Sequence, residues 1–550
     1  VDRPVDRIVV GRIATLAGPK GMGWVEAIAI SGGRVVAAGD RAAIDALGGP
    51  RTRLTELAPN EAAIPGLSDA HLHLADAALA AEKVDLASVA TYGDALERIA
   101  ETHRSLADGD AWVEGLGWDH ERWGGWPTAA DLQRVAPGRR AAFWAHDHHS
   151  YWVSEAALLA AGIDDGTPDP VGGVIRRGSD GVATGILHES AARLVSTRIP
   201  PRSVEHLADA IERLAPALVA AGIVGIHDPG SIDPDPGLEL GIPAYRRVAD
   251  ADRIRLRVHA CIRYESLDRA IELGLRSGDP IGPADGRVRL GWQKLFGDGT
   301  LGSRTAAMLA PFEVEPDRPA PPAGPTGLFM TPPEILADHT ERAAAAGIAS
   351  QIHAIGDGAA RLALDVLEPT VGRATLMPRL EHVQLVDPAD LPRFGRAGIA
   401  ASVQPVHLAT DADSARRGWG ERAERFGYPW RTLADAGVVI PFGTDAPVEP
   451  WDPWPGLEVA VTRRGRAWPT ATAPLGPAEA LGIDRALRAI CVDPAISAGE
   501  TDRGRLTPGM RADIVIVPAA ALDEPVLPGG PLGTVRPRLV IVDGVDAAGA

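Results

Sequence analysis

Cysteine is almost missing from this 550-residue chain: only Cys261 and Cys491 are present. Two thiols so far apart exclude a disulfide framework and a cysteine metal cluster. Lysine is just as scarce, standing only at Lys20, Lys83 and Lys294, while lysine and arginine together number 55. Arginine has taken the sites whose job is merely to be positive, so each remaining lysine calls for a specific reason. No stretch approaches the roughly 20 apolar residues of a membrane span. The opening VDRPVDRIVV carries early acids and no long apolar core, unlike a secretory signal. A cytoplasmic protein is expected. Positive charge is also in deficit, with a formal net charge of −18, which argues against nucleic acid or an anionic membrane as partner. A small-molecule substrate is the partner that remains, and a homodimer, the commonest soluble assembly, is compatible with such a surface.

The length suits a large barrel with an accessory domain. Both ends are β-rich: 6–16 and 24–38 near the start, with Gly32-Gly33 as a hairpin signal, then 512–519 and 537–544 near the end. They are expected to pair into one small domain made of 1–62 and 505–550. Between them, at 63–504, strands alternate with helices. Strand candidates lie at 222–228, 254–262, 288–299, 348–357, 379–385, 399–407 and 438–447, and one more ends at 71–73. Eight β/α units predict a (β/α)8 TIM barrel. The connection from the first strand to the second, about 75–220, is too long for a loop and must be an inserted subdomain. It holds the Trp-rich segments GLGWDHERWGGWP and FWAHDHHSYWVS, in which Trp118, Trp123 and Trp126 are either core or an aromatic pocket.

The polar residues on those strands form a pattern. IPGLSDAHLHL (64–74) ends the first strand with His71 and His73, which alternate onto one side. Lys294 falls on the fourth strand, His353 on the fifth, His382 on the sixth and Asp445 on the eighth, at or near the ends where barrel enzymes keep their chemistry. Four histidines, a lysine and an aspartate make a ligand set for one or two divalent metals, zinc first. A buried Lys294 favours the neutral amine, which can add carbon dioxide to become a carbamate, an anionic bridge between two metals. The alternative is an ordinary lysine paired with Asp298.

IPGLSDAHLHL, KLFGDGTLGSRTA, QIHAIGD, RLEHVQ, SVQPVH and GTDAPVEP, with the closing GRLTPGMRADIVIV, together resemble the ordered motifs of the metal-dependent amidohydrolase superfamily. The chain is most similar to the YtcJ-like branch, which includes N-substituted formamide deformylases. The resemblance implies a TIM barrel, a β-sandwich built from both termini, and an insertion between the first two strands. It implies one metal on His71, His73 and Asp445, a second on His353 and His382, and N6-carboxylated Lys294 between them. His149 and Trp152 in FWAHDHHSYWVSEAAL and Glu189 in TGILHESA match insertion motifs of that branch and would face substrate, although Ser154 stands where asparagine is usual.

The expected reaction is hydrolysis of an amide-type C–N bond in an N-substituted formamide or another N-acyl amine. Metal-activated hydroxide would attack, and Asp445 would carry the proton from water to the leaving nitrogen. Arg304 could grip a substrate carboxylate through paired hydrogen bonds or tie down its loop. His227 and Asp228, at the end of the second strand, have no assigned role. A deaminase or cyclic amidase acting on a heterocycle is the alternative within the superfamily. A non-catalytic scaffold on the same fold is the alternative outside enzymes.

Overall fold

The computed structural model describes residues 4–106, 112–145, 150–170, 173–189, 191–200, 202–231, 241–283, 286–314, 321 and 323–549, with Glu121 and Glu189 described by their backbone alone. The chain separates into two compact units: Val1–Ala77 with Val204–Ala550, and Ala78–Ser203. The inserted unit, expected over about 75–220, therefore ends earlier. Val204–Ala220 is a helix of the larger unit, which buries Leu207, Ile211, Leu214 and Leu218 at helical spacing and leads directly into a strand.

Seven strands of the larger unit pair in parallel: β1 (Leu67–Asp69), β2 (Ile223–Asp228), β3 (Arg257–Arg263), β4 (Val288–Phe296), β5 (Ser350–Ala354), β6 (Arg379–His382) and β7 (Ala400–Ser402), in that order across the sheet. β2, β3, β5 and β6 are buried along their whole length, the mark of parallel strands covered on both faces. The eighth segment, 438–445, joins the two edges. Ala401 and Val403 donate backbone hydrogen bonds to Val439 and Pro441, while Ala70 donates to Phe442 and Asp445 to His71. Gly443 makes this junction fit, since a Cβ there would lie 2.5 Å from the His71 nitrogen. The expected strand at 399–407 is shorter than its apolar run. Pro405 starts the helix Pro405–Trp419, where its missing N–H costs nothing and its fixed φ is already helical.

Both termini enter one eight-stranded sheet. Arg7–Ala14 pairs with Trp24–Ser31, which turns into Arg34–Gly39 through Gly32 (φ 57°) and Gly33 (φ 75°). Two successive positive φ values give the right twist for a tight hairpin and favour glycine. Glu61–Pro65, immediately before β1, runs antiparallel to Ile514–Pro518, which continues to Leu539–Val542. The sheet is apolar on both faces: Val9, Ile28, Ile30 and Ile514 share one cluster, and Ile8, Val10, Ala27 and Ala29 another.

The inserted unit has its own six-stranded sheet. Trp118, Phe143 and Trp152 lie wholly buried in its core, and Trp123 and Trp126 pack against them. Of the two readings open for this tryptophan cluster, packing describes Trp118.

Candidate active site

The C-terminal ends of the barrel strands surround a cavity of about 400 Å³ lined by His71, His73, Lys294, His353, His382, His407 and Asp445. His71, His382 and Asp445 come closest together: one ligand atom from each lies within 4.8 Å of the others. His71 Nε2 and His73 Nε2 are each 3.3 Å from Asp445 Oδ1. The His353 and His382 rings are 4.4 Å apart between centroids. All six residues expected as ligands are buried.

The imidazoles are oriented from behind. His71 Nδ1 is 2.5 Å from Glu381 Oε2, and His73 Nδ1 is 2.5 Å from the Gly230 carbonyl oxygen. These contacts place the protons on Nδ1 and turn both Nε2 lone pairs towards Asp445. Behind Gly230 stands Asp228, which accepts the Gly230 N–H at 2.8 Å and the Tyr245 hydroxyl. His227 Nδ1 meets Arg379 Nη1 at 3.0 Å, and Arg379 forms an ion pair with Glu381 at 2.6 Å. Thus both residues at the end of β2 support first-strand histidines through intermediaries.

Backbone geometry does the rest. Asp69 accepts the N–H of His71 and both the N–H and hydroxyl of Thr444, locking the first strand to the Asp445 turn. Asp445 (φ 63°) and His382 (φ 73°) occupy left-handed backbone, which side-chain-bearing residues adopt rarely and which clusters at functional sites.

Charge follows burial. Burial, then the nearby Lys294, holds His353 down to about 3, and burial with His353 keeps His382 well below the ordinary histidine range. Both are neutral bases at pH 7. Burial lowers Lys294 to about 8 against the pull of Glu381 and Asp445. Lys294 is 1% exposed, and among the described residues no carboxylate comes within ion-pair distance of it. Asp298, its candidate partner, instead accepts backbone N–H groups of Ala307, Ile355 and Gly356. Burial would raise Asp445, but His71, His407 and His73 outweigh it and hold the carboxylate well below its usual range. Burial likewise opposes Arg379 and His71 at Glu381, which ends at about 2.

A divalent metal suits this donor set. His71 Nε2 and His382 Nδ1 are buried without a hydrogen-bond partner, an arrangement that is costly for a histidine and that a cation taking the lone pair would relieve.

Two neighbours escaped the sequence reading. Glu381 precedes His382 in RLEH, and His407, in the first turn of its helix, donates from Nε2 to Asp445 Oδ2 at 3.1 Å. Of the residues expected to face substrate, His149 lies outside the described residues, as does the side chain of Glu189. Trp152 is buried in the inserted unit, its indole N–H donating to the Thr128 carbonyl at 2.9 Å. Arg304 is buried on the loop after β4, with φ 56°.

Comparison with known proteins agrees with this geometry. Residues 58–545 match the model of the Amidohydrolase family. YtcJ of Bacillus subtilis (strain 168), assigned as an amidohydrolase, is 30% identical over 476 residues, covering 86% of each chain. The N-substituted formamide deformylase of Arthrobacter pascens is 27% identical over 523 residues, covering 90% of this chain and 91% of that one. Among solved structures, an uncharacterized metal-dependent hydrolase from Pyrococcus furiosus superposes with a TM-score of 0.74 at 25% identity, over 94% of this chain and all of that one. Buried histidines at barrel strand ends, a family match over most of the length and a metal-dependent neighbour lead to one assignment: the chain belongs to the amidohydrolase family, hydrolases of carbon–nitrogen bonds.

Proposed function

We propose that the protein hydrolyses a linear amide-type bond, in an N-substituted formamide or another N-acyl amine, at a zinc site on a (β/α)8 barrel whose terminal sheet forms a β-sandwich domain of 1–62 and 505–550. The observation that carries the reading is that His71 Nε2 and His382 Nδ1 are buried without a hydrogen-bond partner in the group where His71, His382 and Asp445 bring one ligand atom each to within 4.8 Å of one another. His71, His73 and Asp445 would hold one metal, and His353 and His382 a second. Lys294 would supply the anionic ligand between them: its amine would add carbon dioxide, forming an N–C bond and releasing one proton to solvent, to give a carbamate. A buried amine with no ion pair among the described residues, its pKa lowered to about 8, supports this. The formamide deformylase relative supports the substrate class.

Bound zinc supplies Lewis acidity and makes water a competent nucleophile near neutral pH. The chain's own residues do the remainder. Asp445 takes the proton from the attacking water and passes it to the leaving nitrogen, with His407 holding its other oxygen in place. Glu381 and Gly230 fix the tautomers of His71 and His73. Phe296, Leu301 and Ile355 line the cavity with apolar surface against which the substrate's apolar part would pack. His149, Glu189 and Arg304 are proposed substrate-side residues, and Trp152, wholly buried with its indole N–H on the Thr128 carbonyl, is given a packing role instead.

The test is metal content and turnover of the full chain, purified without chelators in bicarbonate, as wild type and Lys294→Ala. About two zinc ions in wild type, a sharp fall in the variant, and formate release from N-alkylformamides are expected. One metal in both proteins returns Lys294 to a structural role, and no metal in either refutes the hydrolase reading.

A further inference from the structure

The cavity also holds, in its lining, polar groups that the proton chemistry leaves unused. Asp411, from the helix Pro405–Trp419, Glu449, from the turn after Asp445, and Gln384, just past β6, all line it. Asp411 Oδ2 accepts from Gln384 Nε2 at 3.2 Å, and Glu449 Oε1 accepts from the Thr410 hydroxyl at 2.7 Å. Gln384 is 2% exposed, and its Oε1 accepts nothing. Among the described residues no arginine or lysine pairs with either acid, in a chain holding 55 of them. The one ion-pair contact of either acid among the described residues is with His407 Nδ1, 4.0 Å from Glu449 Oε1. Two carboxylates and an amide oxygen thus form a cluster of acceptors with few donors, beside the apolar walls of Phe296, Leu301 and Val448.

A neutral or anionic substrate would bury these acceptors dry, and a buried acceptor without a donor costs its full desolvation. An ammonium brings three N–H donors and no acceptor. Burial raises the Asp411 carboxyl while His407 opposes, as expected for an acid short of a counter-cation.

Building on the C–N hydrolase reading, we propose that the substrate is an N-acyl amine bearing a second, free ammonium group, held by Asp411, Glu449 and the Gln384 carbonyl, with an apolar chain between that group and the scissile bond. Acyl amines ending in a carboxylate are rejected at the same place.

The experiment gives the zinc-loaded full chain three formamides of matched length: monoformyl hexamethylenediamine, N-formylheptylamine and N-formylaminocaproate. Calorimetry then measures binding of hexamethylenediamine, which has no scissile bond. Formate release should favour the ammonium substrate by about tenfold or more in kcat/KM, the effect of a charged hydrogen bond. Asp411→Asn and Glu449→Gln, on separate elements and checked for folding by circular dichroism, should each shrink that ratio and weaken diamine binding. Equal rates on all three substrates, or a preference for the carboxylate, overturn the proposal while leaving C–N hydrolysis standing. Diamine binding that depends on the acids, with no formamide cleaved, keeps the ammonium site and refutes formamide hydrolysis. Should both variants unfold, the wild-type substrate ranking and diamine binding still decide.

Discussion

Replacing Glu381 with glutamine keeps its shape and removes its charge. One carboxylate oxygen lies 2.5 Å from His71 Nδ1 and the other 2.6 Å from Arg379 Nε, and all three side chains are fully buried. Glutamine has only one acceptor oxygen, so its NH2 must face either the guanidinium or the imidazole. Turned to Arg379, it sets donor against donor and leaves a buried cation without its carboxylate. Breaking a buried pair in this way costs about 3–5 kcal/mol. The lower end is expected, because Arg379 keeps Gln351 and the Ala70 carbonyl. Turned to His71, the NH2 forces Nδ1 to accept, moves the ring proton to Nε2, and blocks the nitrogen that faces the metal. Loss of such a supporting partner lowers metal affinity by about 10–100-fold. Zinc affinity by chelator competition and the denaturation midpoint should therefore both fall in Glu381→Gln. A variant that binds zinc as tightly as wild type and unfolds at the same denaturant concentration would falsify the role given to Glu381.

Other outcomes test other parts of the site. Lys294→Arg retains positive charge but cannot form a carbamate, so its metal content should match Lys294→Ala rather than wild type. In wild type grown with carbon-13 bicarbonate, a carbamate carbonyl signal should appear that both variants lack. Gly443→Ala would place a Cβ 2.5 Å from the His71 nitrogen and 2.7 Å from its Cβ. Overpacking of this kind costs about 1–3 kcal/mol, and because the atoms displaced belong to His71, zinc affinity should fall with the melting temperature. His259, beside His227 and Trp292 at 5.1 and 6.0 Å, has its pKa lowered by burial from 6.5 to about 4. Its neutral form is the folded one, so the unfolded chain gains a proton first as pH falls. Relative to His259→Gln, wild type should lose about 1.4 kcal/mol per pH unit from pH 6.5 down to about 4, read from denaturation midpoints. A constant difference across that range would sink the assignment.

His71, His73, Lys294, His353, His382 and Asp445 were legible in the sequence because each interrupts or closes an apolar strand run, a pattern that depends only on alternation and position. Glu381 was not. On a regular strand, neighbours point to opposite faces, so Glu381 and His382 could not both be assigned to one site. The left-handed backbone at His382 breaks that alternation and lets both approach His71. His407 was hidden by a boundary, since the apolar run 399–407 reads as one strand although the helix begins at Pro405. The ends of the chain announced β structure, but which strand lies beside which is a long-range choice that local composition does not encode. The same holds for Asp411 and Glu449 in the cavity lining, which look like ordinary solvated residues until the absence of a pairing arginine among the described residues is seen in space.

The pairing of Glu61–Pro65 with Ile514–Pro518 has a consequence for biosynthesis. Gly66 alone separates the first of these strands from β1, so the barrel's opening strand emerges from the ribosome attached to an edge whose partner is some 450 residues away. At about 5–20 residues per second that partner follows tens of seconds later. During that interval Ala62, Ala63 and Ile64, all buried in the finished protein, present an open strand edge of the kind that recruits other chains. The last strands thus act as a late clasp, and a nascent chain that stalls before residue 514 carries a largely translated barrel with the Glu61–Pro65 edge still unpaired.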